Sequence, residues 1–458
     1  MKSIPLSGLL AQSLAALPAG VAEQGMAIAY SGGLDSSALL HALHTQGISK
    51  LHAFHIHHGL SPNADAWEAH CAAECARQGI TFASRRVSLQ ADGKGTEASA
   101  RKARYAALGS LCRKHGISLL LTAHHQDDQA ETVLLQLLRG AGPAGLSGMD
   151  AFNHAPELLQ NETLLLARPL LQASRAQLEA YVTEHAIAHI EDESNSDPRY
   201  ARNALRHGVM PLLAESFPGF QERVARSASH AQSAQRLLTE LAEADLQAIL
   251  QGDSIDLAAL AALSKDRRAN VLRHWFGVRQ IRIPSAAWLA EMQEQALTAR
   301  EDANLKVSHP DCEVRRHRGR LHLAPKLREL EGTREDQFDD KPGQHFRWSG
   351  EVCLPFPAYG GVLHFDRAEE GLDPAWLQDQ LLTIEFRRGG ERLKPARNRP
   401  TRNLKHHYQA LGVPAWERER APVVSIPGQV LFAHGIGMDC HKMTLGTGDR
   451  IVFRWKSE

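Results

Sequence analysis

The sequence predicts an α/β protein in which a doubly wound parallel sheet is followed by a mostly helical domain and a small α+β domain. Strand and helix signals alternate from residue 26 to about 125, which is typical of repeated βαβ units with ligands at the carboxyl ends of the strands. Residues 220–263 are rich in Ala, Leu, Glu and Gln at helical spacing, whereas residues 346–458 combine short strand signals with many glycines. The predicted domains are residues 1–215, 216–330 and 331–458.

Composition limits the classes of protein to consider. The 52 Lys and Arg residues balance the 52 Asp and Glu residues, so a nucleic-acid surface would have to be a local patch. Six scattered cysteines fit a reducing compartment and no disulfide framework. The first 20 residues read as an amphipathic helix rather than a signal peptide, and no run of 18 apolar residues occurs. We therefore expect a cytoplasmic protein with no membrane partner.

The first strand, residues 26–30, leads into a loop of glycines and small hydroxyl residues and then into an apolar helix pattern. The loop residues are Ser31, Gly32, Gly33, Leu34, Asp35, Ser36 and Ser37. Unpaired N–H groups and the positive end of the helix dipole converge in such a loop, which favours binding of phosphate oxygens. The loop is not a Walker A motif, because no Gly-Lys-Ser/Thr closes it. The alternative is an ordinary tight turn with Asp35 as helix N-cap.

The next elements are a strand over residues 51–57, a helix over Asn63–Gln78, a strand over Ile80–Leu89 and a helix over Thr96–His115 that is rich in Arg and Ala. The segment His55–Leu60, at the end of the second strand, contains three histidines. No Cys or Glu lies at zinc-ligand spacing from them, so we interpret this segment as a loop that lines a nucleotide pocket.

A buried strand over residues 117–122 runs into the motif Thr122–Thr132. If a helix starts near His124, then His124, Asp128 and Glu131 share one face, with Asp127 beside it. Carboxylates at this spacing suit Mg²⁺ or the capture of a cationic amine. The alternative is a solvated acidic first turn that favours the helix dipole.

Two further segments are weaker signals on their own. The acidic run that begins at Glu191 precedes an Arg/Asn cluster, in which Asn203 and Arg206 could contact a phosphate or a carboxylate. Residues 385–420 hold ten basic and four acidic residues, a local net charge of +6, with Tyr408 and Trp416 interleaved. Clustered arginines with aromatics indicate a nucleic-acid surface, whereas the alternative is a solvated charged face.

The loop at residues 31–37 resembles the pyrophosphate loop (PP-loop) of the N-type ATP pyrophosphatases, whose sheet is Rossmann-like. Together with the segments His55–Leu60, Thr122–Thr132, Arg168–Leu171 and Glu191–Arg206, the chain resembles one family of that superfamily, the tRNA(Ile)-lysidine synthetases. Arg387–Arg392 and Val413–Arg418 are similar to the terminal domain of that family.

The resemblance implies a ligase reaction. ATP adenylates the wobble cytidine of tRNA(Ile) with a CAU anticodon at the oxygen on C2, and diphosphate is released. The ε-amine of L-lysine then displaces AMP, which gives lysidine and changes codon reading from AUG to AUA. The implied cofactors are ATP and Mg²⁺, and the implied partners are this tRNA and L-lysine. A homodimer is one assembly we consider.

The resemblance also implies roles for particular residues. Residues 31–37 would bind ATP, with Asp35 positioning Mg²⁺. His124 would stabilise charge at the α-phosphate, while Asp128 and Glu131 would hold the lysine ammonium and accept its proton. The catalytic set is thus Asp35, His124, Asp128 and Glu131. The residues expected to contact lysine or RNA are Asp127, Asn203 and Arg206. The residues expected to contact tRNA are Arg387, Arg388, Arg392, Arg397, Lys405, Trp416 and Arg418.

Two alternatives remain open at this point. The first is another adenylating enzyme of the superfamily, such as a tRNA thiolase, which would need a reactive Cys pair; Cys71 and Cys75 are the one close pair, and they lie in a predicted helix. The second is a non-catalytic nucleotide-binding module on the same fold.

Overall fold

The computed structural model describes residues 4–57, 59, 61–87, 96–191, 201–300, 305–325 and 343–457. The chain divides into two compact units, Met1–Ala244 and Asp245–Glu458. The strands of the first unit are β1 (Met26–Ala29), β2 (Leu51–His57), β3 (Thr81–Arg86), β4 (Leu119–Leu121), β5 (Phe152–His154) and β6 (Leu165–Ala167). Its helices are α1 (Leu6–Ala15), α2 (Leu34–Thr45), α3 (Ala64–Gln78), α4 (Thr96–His115), α5 (Gln126–Leu138), α6 (Pro143–Leu146), α7 (Pro156–Leu159), α8 (Arg175–Glu184), α9 (Ala201–Ala204), α10 (Met210–Ser216) and α11 (Phe220–Ile249).

The first unit is built on a six-stranded sheet in the order β3-β2-β1-β4-β6-β5. Its strands pair in parallel except for β5, which is antiparallel to β6. Chain order runs outward from β1 to β2 and β3 on one side and from β4 to β6 on the other, with β5 at the edge, so the sheet reverses between β1 and β4. Such a reversal opens a crevice at the carboxyl ends of the strands, where α/β proteins bind ligands. The predicted doubly wound sheet is confirmed.

Helices cover both faces of this sheet, because alternate residues of the short apolar strands point to opposite sides. Ile28 packs in one core with α1, α2, α3 and α8, whereas Ala27 packs in another with α4 and α7. The strands β1 and β4 are almost fully buried. This arrangement fixes the loops after β1, β2, β4 and β6 at one edge of the sheet.

The second unit contains helices and antiparallel sheets. Its strands are β7 (Leu250–Gln251), β8 (Ser254–Asp256), β9 (Lys306–Ser308), β10 (Cys312–His317), β11 (Arg320–Pro325), β12 (Gln344–Phe346), β13 (Cys353–Phe356), β14 (Gly361–Gly371), β15 (Leu382–Phe386), β16 (Arg392–Leu393), β17 (Arg402–Asn403), β18 (Pro422–Ile426), β19 (Gln429–Ala433), β20 (Gly437–Met438) and β21 (Thr444–Ser457). Its helices are α12 (Leu257–Ala262), α13 (Lys265–Val278), α14 (Ala286–Thr298), α15 (Pro374–Asp379), α16 (Leu404–Leu411) and α17 (Ala415–Arg418).

Helices α12–α14 pack with Leu246 and Ile249, at the end of α11 within the second unit, against a five-stranded sheet, β7-β8-β11-β10-β9. The predicted helical middle region therefore also carries strands. The remaining residues form the sheets β12-β15-β18-β19-β20, β13-β14-β21 and β16-β17, with α15–α17 beside them, which confirms the predicted α+β region. Within the described part of the chain, every helix is too short or too polar to span a bilayer.

Candidate active site

The loop between β1 and α2 needs glycine at its tightest point. Gly32 has a φ of +83°, a left-handed conformation that side chains disfavour. A Cβ on Gly32 would lie 2.6 Å from Ile190 Cδ1 and 2.8 Å from Cys71 Sγ. Ile190 donates its N–H to the carbonyl oxygen of Gly32 at 2.8 Å, which pins the loop from a neighbouring segment. The turn is therefore held in one conformation by backbone geometry and by packing.

Serine hydroxyls brace the same loop internally. Ser37 Oγ donates to Gly32 O at 3.1 Å, and Ser36 Oγ donates to Gly33 O at 3.0 Å. Gly33 is the N-cap of α2 and supplies no side chain, so the first N–H groups of the helix stay directed at the loop. Asp35 lies inside the first turn instead of at the N-cap, which rules out the ordinary-turn interpretation in which Asp35 caps the helix. The N–H groups at this helix N-terminus are therefore available to an anion.

An imidazole lies between carboxylates at the next loop. The helix α5 begins at Gln126, so His125 occupies its N-cap position. The ring nitrogens of buried His125 lie 3.4 Å from Asp128, 3.7 Å from Asp127 and 3.7 Å from Asp35. Burial disfavours the charged imidazole, but the three carboxylates outweigh this effect and raise the pKa of His125. Burial raises the pKa of Asp35, although His125 and Arg175 oppose that increase.

His124 has a different environment from the one expected. Because α5 starts two residues later than the spacing assumed, His124 lies before the helix and not on its Asp128–Glu131 face. Its Nδ1 is 2.8 Å from the hydroxyl of Thr122. Burial, together with nearby arginines such as Arg168, lowers the pKa of His124 to about 3, so this imidazole is neutral near pH 7. A neutral ring can donate or accept one hydrogen bond but carries no charge.

Two arginines that follow α8 clamp the carboxylates of α5. Arg202 Nε donates to Glu131 Oε2 at 2.6 Å, and Arg206 Nε donates to Glu131 Oε1 at 2.6 Å. Both guanidinium groups also reach Asp128 Oδ1 at 3.1 Å. Glu131 is 1% exposed, so its charge would be costly without these partners. Residues 205–209 form a π-helical turn between α9 and α10 that carries Arg206.

A third arginine joins two loops of the site. Arg175, at the start of α8, places Nη1 2.7 Å from Asp35 Oδ1 and donates its backbone N–H to Asp127 Oδ2 at 2.9 Å. Burial would raise the pKa of Asp127, but the nearby His125 imidazole and the hydrogen bond from this N–H hold that pKa below its ordinary value. Asp127 therefore stays ionised at the centre of the group.

These loops line one open cavity of about 1000 Å³. From the sequence-predicted set, the cavity brings together Ser31, Gly33, Leu34, Asp35, Ser36, His124, Asp127, Asp128, Glu131 and Arg206. Sequence reasoning gave no role to His125 or Arg175, and it included Arg202 only as a member of the Arg/Asn cluster. The doubled histidine at the end of a strand was a signal for His125, whereas nothing in the spacing marked Arg175. Asn203 lies in α9 beside Arg202. Residues 192–200 of the acidic segment lie outside the described residues.

The His55–Leu60 segment lines the cavity with His55 and His57, while His58 and Leu60 lie outside the described residues. His57, Asp65 and Glu68 have donor atoms close enough to hold a metal ion. Arg86 already reaches both carboxylates, at 2.5 Å from Asp65 and 3.2 Å from Glu68, so the cluster is satisfied by a cation of the chain itself.

The predicted tRNA-contacting residues lie in the second unit. Arg388, Arg392, Arg397 and Lys405 are exposed, and Arg387 and Arg418 are half-buried. Tyr408 is a core residue with its hydroxyl on the carbonyl of His434, so its interpretation as an RNA-stacking aromatic is wrong. Trp416 packs edge-on against His317 and His322.

The fold and the site together define a nucleotide-binding α/β protein of the PP-loop class. A PP-loop domain model matches residues 8–213, a TilS substrate binding domain model matches residues 255–322, and a TilS substrate C-terminal domain model matches residues 382–455.

Relatives that match most of the chain identify the family within this class. The chain is 42% identical to tRNA(Ile)-lysidine synthase of Burkholderia pseudomallei over 94% of this chain and 92% of that protein. It is also 42% identical to tRNA(Ile)-lysidine synthase of Ralstonia nicotianae, over 97% of this chain and 96% of that protein. The chain belongs to the tRNA(Ile)-lysidine synthase family.

Proposed function

We propose that the chain catalyses the ATP-dependent ligation of L-lysine to C2 of the wobble cytidine of tRNA(Ile) with a CAU anticodon. The observation that carries this proposal is that one cavity joins the N-terminus of α2, where phosphate would bind, to a group of four carboxylates. The relatives that match more than nine tenths of the chain are tRNA(Ile)-lysidine synthases. ATP binding alone does not need these carboxylates, so their position favours a catalytic protein over a binding module.

ATP binds with its phosphates at residues 31–37, where the N–H groups of α2 point to the ligand. Mg²⁺ fits this site, because Asp35 offers a partly exposed carboxylate oxygen and the phosphates supply further oxygen ligands. When bound, Mg²⁺ would neutralise charge on the phosphates. Arg175 and His125 hold Asp35 in place and add positive charge beside the phosphates.

Lysine enters next to Asp128 and Glu131. In the free protein these carboxylates are neutralised by Arg202 and Arg206, whose side chains are 29% and 35% exposed. The lysine ammonium competes with one guanidinium group for the same oxygens, and the displaced arginine can turn toward phosphate. A carboxylate then accepts the proton of the ammonium, since only the neutral amine attacks the activated C2.

The tRNA thiolase alternative is disfavoured by the cysteines. Cys71 and Cys75 are fully buried, and burial raises the pKa of each thiol to about 12. A thiol that stays protonated and inaccessible is a poor nucleophile and a poor cluster ligand. Cys71 packs against the phosphate loop, which is a structural role.

The test is an incubation of the full chain with ATP, Mg²⁺, radiolabelled L-lysine and an unmodified tRNA(Ile) CAU transcript, with a tRNA(Met) transcript as control. Lysine incorporated into the tRNA(Ile) transcript alone is the expected result. Release of diphosphate that depends on tRNA without lysine incorporation would overturn the identity of the nucleophile. Absence of both reactions in folded protein would overturn the proposed function. Sedimentation of the same sample tests the homodimer.

A further inference from the structure

The helix α4 carries two guanidinium groups that the proposed chemistry does not use. Arg101 and Arg104 lie over the ring of Tyr105, at 4.8 and 5.5 Å from its centroid. The ring is 1% exposed, whereas both arginines are exposed. Among the described residues, neither arginine has a carboxylate partner within ion-pair distance. Arg101 and Arg104 are three residues apart, about 4.5 Å along the helix axis, so both side chains lie on the same face of α4.

A third arginine faces the same place from the end of β6. Arg168 is 8% exposed, and its Nη1 donates to Asp150 O at 2.7 Å and to Asn153 Oδ1 at 2.8 Å. Its Nε is buried and has no hydrogen-bond partner within the described structure. A buried guanidinium group with an unused donor is costly unless a ligand completes it. We call Arg101, Arg104 and Arg168 the α4 cluster.

The α4 cluster reaches the active-site cavity through Arg104 and lies apart from the phosphate loop. Arg104 and Tyr105 line the cavity beside His124. The helix α4 packs on one face of the sheet, and α2, which carries the phosphate loop, packs on the other. Burial lowers the pKa of Arg168, and the nearby Arg101 adds to this effect, whereas Tyr105 and Asp150 oppose it. This concentration of positive charge favours binding of an anion other than the phosphates expected at the N-terminus of α2.

We propose that the α4 cluster binds the phosphodiester backbone of the anticodon loop beside the target cytidine. The inference rests on the proposed function and adds an RNA contact within the first unit. A flexible single-stranded loop needs its backbone fixed near the reacting base, and arginines recognise phosphates by paired N–H donors. The base would then enter the cavity between the α4 cluster and the ATP phosphates.

The experiment compares the double variant Arg101→Gln/Arg104→Gln with a control, Arg113→Gln/Lys114→Gln. The control removes two positive charges from the other end of the same helix. Filter binding of the tRNA(Ile) CAU transcript is measured over a range of salt concentrations, and the KM for ATP is measured in tRNA-dependent diphosphate release. Circular dichroism confirms that both variants keep their fold.

The expected result is an approximately tenfold weaker tRNA affinity for the cluster variant, with a salt slope reduced by about 1.4 for two lost phosphate contacts. Its KM for ATP and the tRNA affinity of the control stay within twofold of the parent protein. A raised KM for ATP with unchanged tRNA binding would assign the cluster to the triphosphate and overturn the proposal. Equal losses in both variants would reduce the cluster to general surface charge, which also overturns it. Transcript binding is measured without lysine, so failure of lysine incorporation in the parent protein remains a separate result.

Discussion

At the residue scale, the site is governed by how buried carboxylates are neutralised. Glu131 and Asp128 share Arg202 and Arg206, whereas Asp35 shares Arg175 with Asp127. Two opposite charges at these distances lower the cost of burial but do not remove it. The site can therefore attract a cation or an anion that replaces one of these partners. Lysine and phosphate are the ligands that we propose for it.

We predict that Glu131→Gln destabilises the first unit by about 2 kcal/mol, because two partly exposed guanidinium groups would lose their hydrogen bonds to a buried carboxylate. The melting temperature should fall by about 5 °C for a unit of this size. Calorimetry checks this value. The control is Glu222→Gln, since Glu222 pairs with Arg226 at 2.9 Å on an exposed helix surface. A control shift as large as that of Glu131→Gln would contradict the argument.

We also predict a pH-dependent contribution from His125. Its pKa is raised in the folded protein, so the stabilisation it provides is present below the unfolded value of 6.5 and is lost as pH rises through the folded value. His125→Gln should therefore lower the melting temperature most near pH 6 and progressively less toward alkaline pH. A melting-temperature difference that stays constant over this range would contradict the assignment of charge.

The sequence could identify many residues of this site but not which arginine pairs with which carboxylate. The predicted carboxylates Asp35, Asp127, Asp128 and Glu131 line one cavity, because strands of a parallel sheet end at one edge. Arg202 and Arg206 reach Asp128 and Glu131 over more than 70 residues, and such contacts leave no local pattern. The catalytic and binding roles of these residues stay predictions until variants are assayed.

At the element scale, the decisive feature is the β1–α2 turn. Its glycines, its serines and the apolar strand before it predict the observed geometry, since only glycine adopts the turn at low cost. The boundary of α5 was harder to predict. Two histidines are equally good candidates for a helix start. His125 is the N-cap residue in the structure, where its backbone N–H donates to Asp128 Oδ2 at 3.1 Å and its ring lies beside Asp35 and Asp127.

We predict that Gly32→Ala weakens ATP binding at least tenfold. The left-handed backbone costs about 1–2 kcal/mol for alanine, and the new Cβ would also collide with Ile190 and Cys71. The control is Gly47→Ala, because Gly47 also has a left-handed φ of +74° but has open space around its Cβ position. Calorimetric titration with ATP measures both variants. Equal losses of affinity would show that backbone strain alone is responsible.

At the scale of the whole molecule, the second unit is held together by a contact between its middle and terminal parts. The turn of the β10–β11 hairpin inserts Arg318, whose Nη2 donates to Gln409 O at 2.7 Å. His317 Nε2 is 3.1 Å from Gly412 O, and Trp416 packs against His317, His322 and the guanidinium of Arg315. The pattern of aromatic and basic residues predicted an RNA surface here. The structure gives Trp416 a packing contact that no local pattern could reveal.

The contact between the β10–β11 hairpin and residues 409–416, which we call the seam, should become less stable at acid pH. Burial lowers the pKa of His317 and of His322, so both rings are neutral in the folded unit. The unfolded chain binds protons near its ordinary value of 6.5, and stability is therefore lost as pH falls below that value. Protonation would place positive charge beside Arg318 and Arg320, and this repulsion contributes to the lowered pKa of the two rings.

We predict that the melting temperature of the second unit falls between pH 7.5 and pH 5.5, and that His317→Gln/His322→Gln removes most of this fall. Calorimetry of the full chain at both pH values measures the two effects. His345→Gln, which replaces an exposed histidine of the same unit, should behave like the parent protein. If the double variant keeps the full pH dependence, other groups control the acid response and the histidines only fill space. If the dependence disappears while tRNA binding at pH 7.5 is unchanged, the two rings act on the seam itself, because a direct RNA contact would weaken binding at every pH.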